Sequence, residues 1–466
     1  MTNEISISNQ LASFADELTS ESVPAEVRER AKYLILDAVG IAIASTRYDF
    51  SHKTLTAISG LSESDTMPVI GMPARLSVRD AALMNGLLIH GLDFDDTHVA
   101  GVVHLTSSTF PCALSAGYKV GASGEELINA YIVGVEAGAR LGAVAKGGFH
   151  QVGHHPTGVC GAFACALIAG RLMGLTQQQM EMAQGIGLSV AGGSMEFLVD
   201  GAWTKRMHPG WAAQAGITAA AMAQQGFPGP KLPYEGRFGL FKSLLGSLDE
   251  QCDYSLATAD LGDVWELMNI AVKPYPACHF THACADAAQI IMTEHNLKVE
   301  DIANIRALVP EEVVKTVCEP EANKKRPANS YEAQFSIPYL VATSIIKGRF
   351  TLDELEAETL TDPAILELAA KVNYEVDPNS GFPTYYSGEV IIETTDGSSY
   401  QQREHMNRGC SDRPLTNEDI VEKFMGTAGM TLSKRKVEEI RDYVLNVEGF
   451  DDVSDLAELL TLPSVS

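Results

Sequence analysis

The sequence predicts a mainly α protein, a large all-helical domain with a smaller α+β lid domain, and three observations predict it. Residues 1–269 place apolar side chains at helical spacing between capping signals, with almost no alternating runs. β-Branched runs and a hairpin signal appear only after Lys273, and helical patterns return near the C-terminus. The expected division is 1–269 for the helical domain, completed by C-terminal helices within 405–466, and 270–404 for the lid.

Each element has a local reason. Pro24 suits the first turn of a helix whose buried face is Val27, Ala31, Leu34, Ile35 and Ile41. Ser77 with Asp80 resembles a capping box and predicts a helix running towards Asp95, while Ser123 with Glu126 and Thr176 with Gln179 open two more. Pro156 and Pro209 are each expected to start a helix, the second stopped by Gly226 and Pro228. Ile302 to Val309 and Gly388 to Thr395 read as strands, with Asp396-Gly397 turning the second into 399–403. Tyr331 to Lys347 has helical length with a kink expected at Pro338, and helices are expected again at 417–424 and 433–447.

Composition bounds the function. The chain of 466 residues is 45% hydrophobic and 20% charged, which is globular composition. Its 34 basic and 60 acidic side chains leave a net charge of −26, which repels nucleic acid and anionic membranes. A small anion is repelled too, unless its site is locally positive. The eight cysteines form no CxxC, and MTNEISISNQ has neither a basic nor an apolar leader region, so the expectation is a reduced, cytoplasmic protein. The apolar segment from Thr157 to Leu175 is rich in Gly and Ala and contains Arg171, which favours a buried core helix over a membrane span.

The chemistry concentrates in residues 91–104, GLDFDDTHVAGVVH, where Asp93, Asp95, Asp96, Thr97, His98 and His104 crowd among apolar side chains. Acids at the end of a helix oppose its macrodipole, so helix stability alone does not select them. Nine of the twelve histidines fall between 90 and 282, several beside a lysine or arginine, as in Thr204-Lys-Arg-Met-His208 and Lys273-Pro-Tyr-Pro-Ala-Cys-His279. If these cations converge, they make a positive site suited to a small anionic polycarboxylate.

Six segments in order resemble the MmgE/PrpD family, whose members include 2-methylcitrate dehydratase, cis-aconitate decarboxylase and iminodisuccinate epimerase. They are Arg30 to Asp37, Leu92-Asp-Phe-Asp-Asp-Thr97, His155-Pro-Thr-Gly158, Gly201 to His208, Lys273 to His282 and Tyr331 to Ser336. The resemblance implies a homodimer and metal-independent, cofactor-free lyase chemistry on a di- or tricarboxylate, by dehydration or decarboxylation, with epimerisation as the alternative. Carried over by position, it implies Asp93, His104, His155 and Lys205 as catalytic, and Thr97, Lys273, His208, Cys278 and His279 as substrate-binding. Cys278 departs from the pattern, standing where animal cis-aconitate decarboxylases have a histidine.

Duller readings compete. Asp95, Asp96 and His98 are expected at a solvated helix end or in support, Arg206 is equally well structural, and Cys278 by itself reads as a packed thiol, since nothing in the sequence marks it as activated. A metallohydrolase built on Asp93, Asp95, His98 and the 150–155 histidines has permissive spacings but no metal-site pattern.

Overall fold

The computed structural model describes residues 5–62 and 64–462. The chain divides into two units: Met1–Met195, Trp203–Val272 and Thr416–Ser466 form the first, and Glu196–Ala202 with Lys273–Leu415 form the second. The division expected from sequence, at 269/270 and 404/405, compares with 272/273 and 415/416 here. The short 196–202 segment, which no sequence signal set apart, groups with the second unit.

The first unit is helical, and the helices that build the site are numbered in chain order. Helix α1 (Ala25–Ser45) follows Pro24 as its N-cap, and α2 (Val78–His90) is capped by Ser77, whose hydroxyl accepts the Asp80 N–H. The chain then forms a two-residue strand, β1 (Thr97–His98), followed by α3 (Thr106–Val120) and α4 (Gly124–Val144). The Ser123–Glu126 capping box satisfies the start of α4 from both sides. Helix α5 (Pro156–Leu172) begins at its proline, α6 (Thr204–Gln224) follows, and β2 (Ile270–Ala271) pairs antiparallel with β1.

Small residues set the spacing. A Cβ on Gly210 would fall 2.0 Å from the Leu83 carbonyl oxygen, and one on Gly86 would fall 2.5 Å from Gly210 Cα. Helices α2 and α6 therefore touch backbone to backbone, and only glycine permits it. Helix α2 runs one turn beyond Gly86 to His90, while α6 begins more than a turn before Gly210, so the end of one meets the start of the other. Gly216 repeats the device against Cys165 of α5, at 2.4 Å.

The second unit contains α7 (His282–Glu294), β3 (Ile302–Val309), α8 (Ile337–Lys347), β4 (Val372–Val376), β5 (Gly388–Thr394) and β6 (Ser399–Glu404). Its sheet has the order β4-β3-β5-β6, with β3 and β4 parallel and the other pairs antiparallel. Gly397 takes φ +87 in the β5–β6 turn, the left-handed conformation its sequence signal called for. The chain re-enters the first unit with α9 (Asn417–Gly429), which packs on α1, and α10 (Lys434–Leu445).

Three local expectations fail. Helix α2 stops at His90 rather than near Asp95, because the chain turns at Gly91 and Asp93 takes φ +51. Pro209 does not start a helix but sits in the second turn of α6, where its missing N–H costs only the bond to the Lys205 carbonyl. Tyr331 to Lys347 is not one kinked helix: it breaks into Ser330–Gln334 and α8, with Ser336 capping the second piece and Pro338 in its first turn. The parallel strand β4 carried no recognised signal; its burial pattern is largely exposed.

Candidate active site

The turn after α2 folds residues 91–96 back over the helix end. A side chain on Gly91 would strike the Phe50 ring at 2.4 Å, and the space is used by Arg206, whose guanidinium lies 4.3 Å from that ring and whose Nε donates to the Gly91 carbonyl at 2.8 Å. Arg206 thus clasps the corner, which answers the question the sequence left open. Asp93, left-handed and fully buried, is a conformation that Asp tolerates better than most residues. It makes a buried salt bridge to Lys205 in the first turn of α6. A lysine is disfavoured at a helix start, and this carboxylate compensates it.

Five imidazoles surround that ion pair. The rings of His90 and His104 lie 5.0 Å apart, His90 and His155 5.4 Å, His104 and His155 5.9 Å, His155 and His208 5.2 Å, and His150 and His155 6.4 Å. His155 is the N-cap of α5, fixed by its own N–H to the Gly193 carbonyl at 2.9 Å. Its Nδ1 lies 3.1 Å from His208 Nδ1, so these two rings take opposite tautomers. His104 Nδ1 lies 2.8 Å from the Asp96 carbonyl, which can only accept, so Nδ1 carries the proton and the lone pair of the neutral ring is on Nε2. Thr97 Oγ1 is 3.1 Å from the same Nδ1.

Burial sets the ionisation. Desolvation, then the positive charge of Lys205, holds His155 well below the ordinary histidine range. The same two causes lower His150, which keeps part of its surface. Desolvation, with His90 and Lys205 adding to it, brings His208 to about 4. His90 is lowered by desolvation against the pull of Asp95, whose Oδ2 lies 2.7 Å from His90 Nδ1. These rings are neutral near pH 7 and available as bases. Burial also pushes the Asp96 carboxyl up to about 7, although the Thr106 hydroxyl and N–H both donate to it.

Asp93, Thr97, His104, His155, Lys205 and His208, expected from sequence, therefore come together within the first unit. Lys273, Cys278 and His279 belong to the second. There Lys273 is fully buried, Cys278 donates its N–H to the Gln334 carbonyl at 2.8 Å, and His279 bonds to Asn407. His282 donates Nε2–H to the Ala277 carbonyl at 3.1 Å and lies 4.6 Å from the His279 ring.

Sequence reasoning undervalued His90, Asp95 and Asp96. Asp95 and Asp96 are buried rather than solvated, one holding His90 and the other giving His104 its carbonyl. Gly91 was the available signal: read as a helix stop, it places His90 last in α2 and lets Asp95 fold back onto it. His98 serves the backbone instead, its Nδ1 accepting the Gly101 N–H at 3.1 Å while Nε2 faces Glu266 at 2.8 Å. That removes it from the donor set considered for a metallohydrolase. His90, Asp95 and His104 do bring one ligand atom each within 4.8 Å of the others, a grouping a metal ion could fit.

Residues 9–252 match the MmgE/PrpD N-terminal domain, and residues 275–449 match the MmgE/PrpD C-terminal domain. The chain is 29% identical over 477 residues to a cis-aconitate decarboxylase of Aspergillus terreus, covering 98% of this chain and 96% of that protein. It is 31% identical over 458 residues to the Homo sapiens cis-aconitate decarboxylase, covering 94% and 91%, and 31% identical over 455 residues to the Mus musculus protein, covering 94% and 89%.

Proposed function

The chain belongs to the MmgE/PrpD family, and from that premise we propose that it is a lyase that decarboxylates a small tricarboxylate of the cis-aconitate type. One observation carries the reading: a buried lysine, Lys205, paired with Asp93 and ringed by neutral imidazoles inside a protein of net charge −26. Such a protein does not gather a polyanion by its overall field, so the positive charge must be local and fixed.

Loss of CO₂ next to a carboxylate leaves an electron pair that spreads onto that carboxylate as an enediolate. Lys205 stabilises this charge more than the ground-state charge, and the N–H groups at the start of α6 add to it. Asp93 keeps the ammonium in place. A proton must then reach the carbanion carbon, and in this reading His104 and His155, whose rings lie 5.9 Å apart, deliver it. Thr97 and the Asp96 carbonyl hold His104 in one orientation.

Dehydration of a 2-methylcitrate-type substrate is the second reading, favoured by the departure at Cys278 from the pattern that the resemblance implies for animal decarboxylases. The test is turnover of cis-aconitate, 2-methylcitrate, citrate and iminodisuccinate by purified protein, followed by CO₂ release and product mass. CO₂ from cis-aconitate supports the first reading and water loss from 2-methylcitrate the second. No turnover of any of the four ends the lyase reading.

A further inference from the structure

His90 closes α2 and is sealed from solvent, with Asp95 folded onto its ring. The 2.7 Å contact between Asp95 Oδ2 and His90 Nδ1 means that the carboxylate accepts the Nδ1 proton, leaving the lone pair of neutral His90 on Nε2. That Nε2 is buried and has no hydrogen-bond partner among the described residues. The ring lies 25° from parallel with His155 and 52° from His104, at 5.4 and 5.0 Å. A buried acceptor left unsatisfied is costly, so native proteins keep few of them. This one belongs to an imidazole with a built-in counter-ion for its protonated form.

We propose that His90, oriented by Asp95, is the proton reserve of the site: it takes up a proton when a polycarboxylate enters and passes it through His104 or His155 to the reacting carbon. The proposal rests on the lyase reading above, and its balance is simple. The C–C bond to the leaving carboxylate breaks, CO₂ departs, and the electron pair stays on carbon. A C–H bond then forms with the proton of a neighbouring imidazolium, which recovers it from His90. Decarboxylation consumes one proton for each CO₂ released, and neutral His90 is reloaded from solvent with the next substrate.

The groups facing His90 set when it charges. They are Asp93 and Asp95 from the 91–96 turn, His104 before α3, His155 before α5, and Lys205 and His208 from the first turns of α6. Burial and Lys205 outweigh Asp95 and keep the ring neutral. A bound polyanion offsets Lys205 and tips the balance towards imidazolium.

The test is proton uptake on binding tricarballylate, a tricarboxylate with no double bond or hydroxyl, by calorimetry in buffers of different ionisation enthalpy. The wild type is expected to take up about one proton per ligand, and His90→Gln to lose most of that uptake. kcat of His90→Gln is expected to fall about 100-fold with KM within about threefold. Asp95→Asn should shift the pH profile of kcat, whereas a merely structural role would lower the melting temperature and leave uptake intact. Unchanged uptake in His90→Gln overturns the proposal, even if activity is lost. Should that variant fail to fold, unchanged uptake and pH profile in Asp95→Asn overturn it equally. Uptake that depends on His90, in a protein that turns over none of the four substrates, sinks the lyase reading and the delivery step that rests on it, and leaves His90 as the group protonated on binding. No binding of tricarballylate by a wild type that also turns over none of the four substrates sinks both.

Discussion

Glu136 with Arg140 in α4, and Asp95 with His90 at the end of α2, are both buried acid–base pairs of the helical unit, and they are finished differently. Glu136 accepts from Arg140 and from the N–H groups of Glu266 and Leu267, at 3.0 and 2.8 Å. Arg140 in turn donates to the carbonyls of Val264 at 2.7 Å and Ala259 at 3.4 Å. Every polar atom of that pair is used, and the result pins the 259–267 segment to α4. His90 keeps an Nε2 with no hydrogen-bond partner among the described residues, beside two more imidazoles, and the left-handed Asp93 lies three residues on. Completed networks hold a fold together, whereas an incomplete one buried at comparable cost marks where something else must bind.

The two clusters should differ most at Lys205. Lys205→Met should lower kcat/KM by about 1,000-fold or more, since a cation aimed at developing charge is lost. It should also lower stability by about 3–5 kcal/mol, because Asp93 is left charged and buried. Adding Asp93→Asn to Lys205→Met should recover the melting temperature without recovering turnover. If the double variant regained activity, Lys205 would be a structural counter-ion of the same kind as Arg140.

Glu136→Ala is the mirror experiment. Removing the carboxylate leaves Arg140 buried and uncompensated, so denaturant unfolding should show a loss of about 3–4 kcal/mol. kcat/KM at a temperature where the variant stays folded should remain within about twofold of wild type. A large drop in kcat with intact stability would place the 259–267 segment in the chemistry and erase the distinction between the two clusters.

How much of this was legible in the sequence follows the same division. The capping boxes at Ser123 and Thr176, the hairpin at Gly397 and the Gly/Ala-rich α5 were readable because their causes are local. The site residues Asp93, Thr97, His104, His155 and Lys205 were named through the resemblance, since nothing local says that residues 93 and 205 meet. That meeting depends on Gly86 against Gly210, a contact between distant segments. Asp95 and His90 were passed over for a different reason. Ending α2 at Asp95 placed the acids on a solvated helix end, when Gly91 ends the helix and buries them.

The imidazole cluster should also make stability depend on pH, in a direction fixed by the lowered ionisation of His208. Its ordinary value of 6.5 falls to about 4 in the folded protein, so between these values the unfolded chain binds a proton that the folded one refuses. Stability is therefore full above about pH 6.5 and declines as the pH falls to about 4, by about 3 kcal/mol from this residue alone. Urea midpoints measured across that window should decline, and His208→Asn should flatten the slope by about one proton. A midpoint that rises on acidification would mean the histidines are already charged in the folded state, and the cluster would no longer be a set of bases.

Chelation should have the smallest effect of all. His90, Asp95 and His104 have the ligand types of a metal site, but Lys205, whose charge already bears on His90, opposes a second cation beside it. The Asp95 carboxylate accepts the His90 Nδ1 proton at 2.7 Å, and His104 spends its Nδ1 proton on the Asp96 carbonyl at 2.8 Å. Both bonds leave Nε2 of each ring open to an ion at about 2.0–2.2 Å, but that ion would add a positive charge beside Lys205. Dialysis against EDTA should therefore leave kcat/KM within about twofold, with no stoichiometric metal by elemental analysis. Loss of activity on dialysis, restored by one divalent ion, would turn the His90–Asp95 bond from a proton reserve into a ligand pair caught without its ion, and the contrast with Glu136–Arg140 would then be between a filled network and an unfilled metal site.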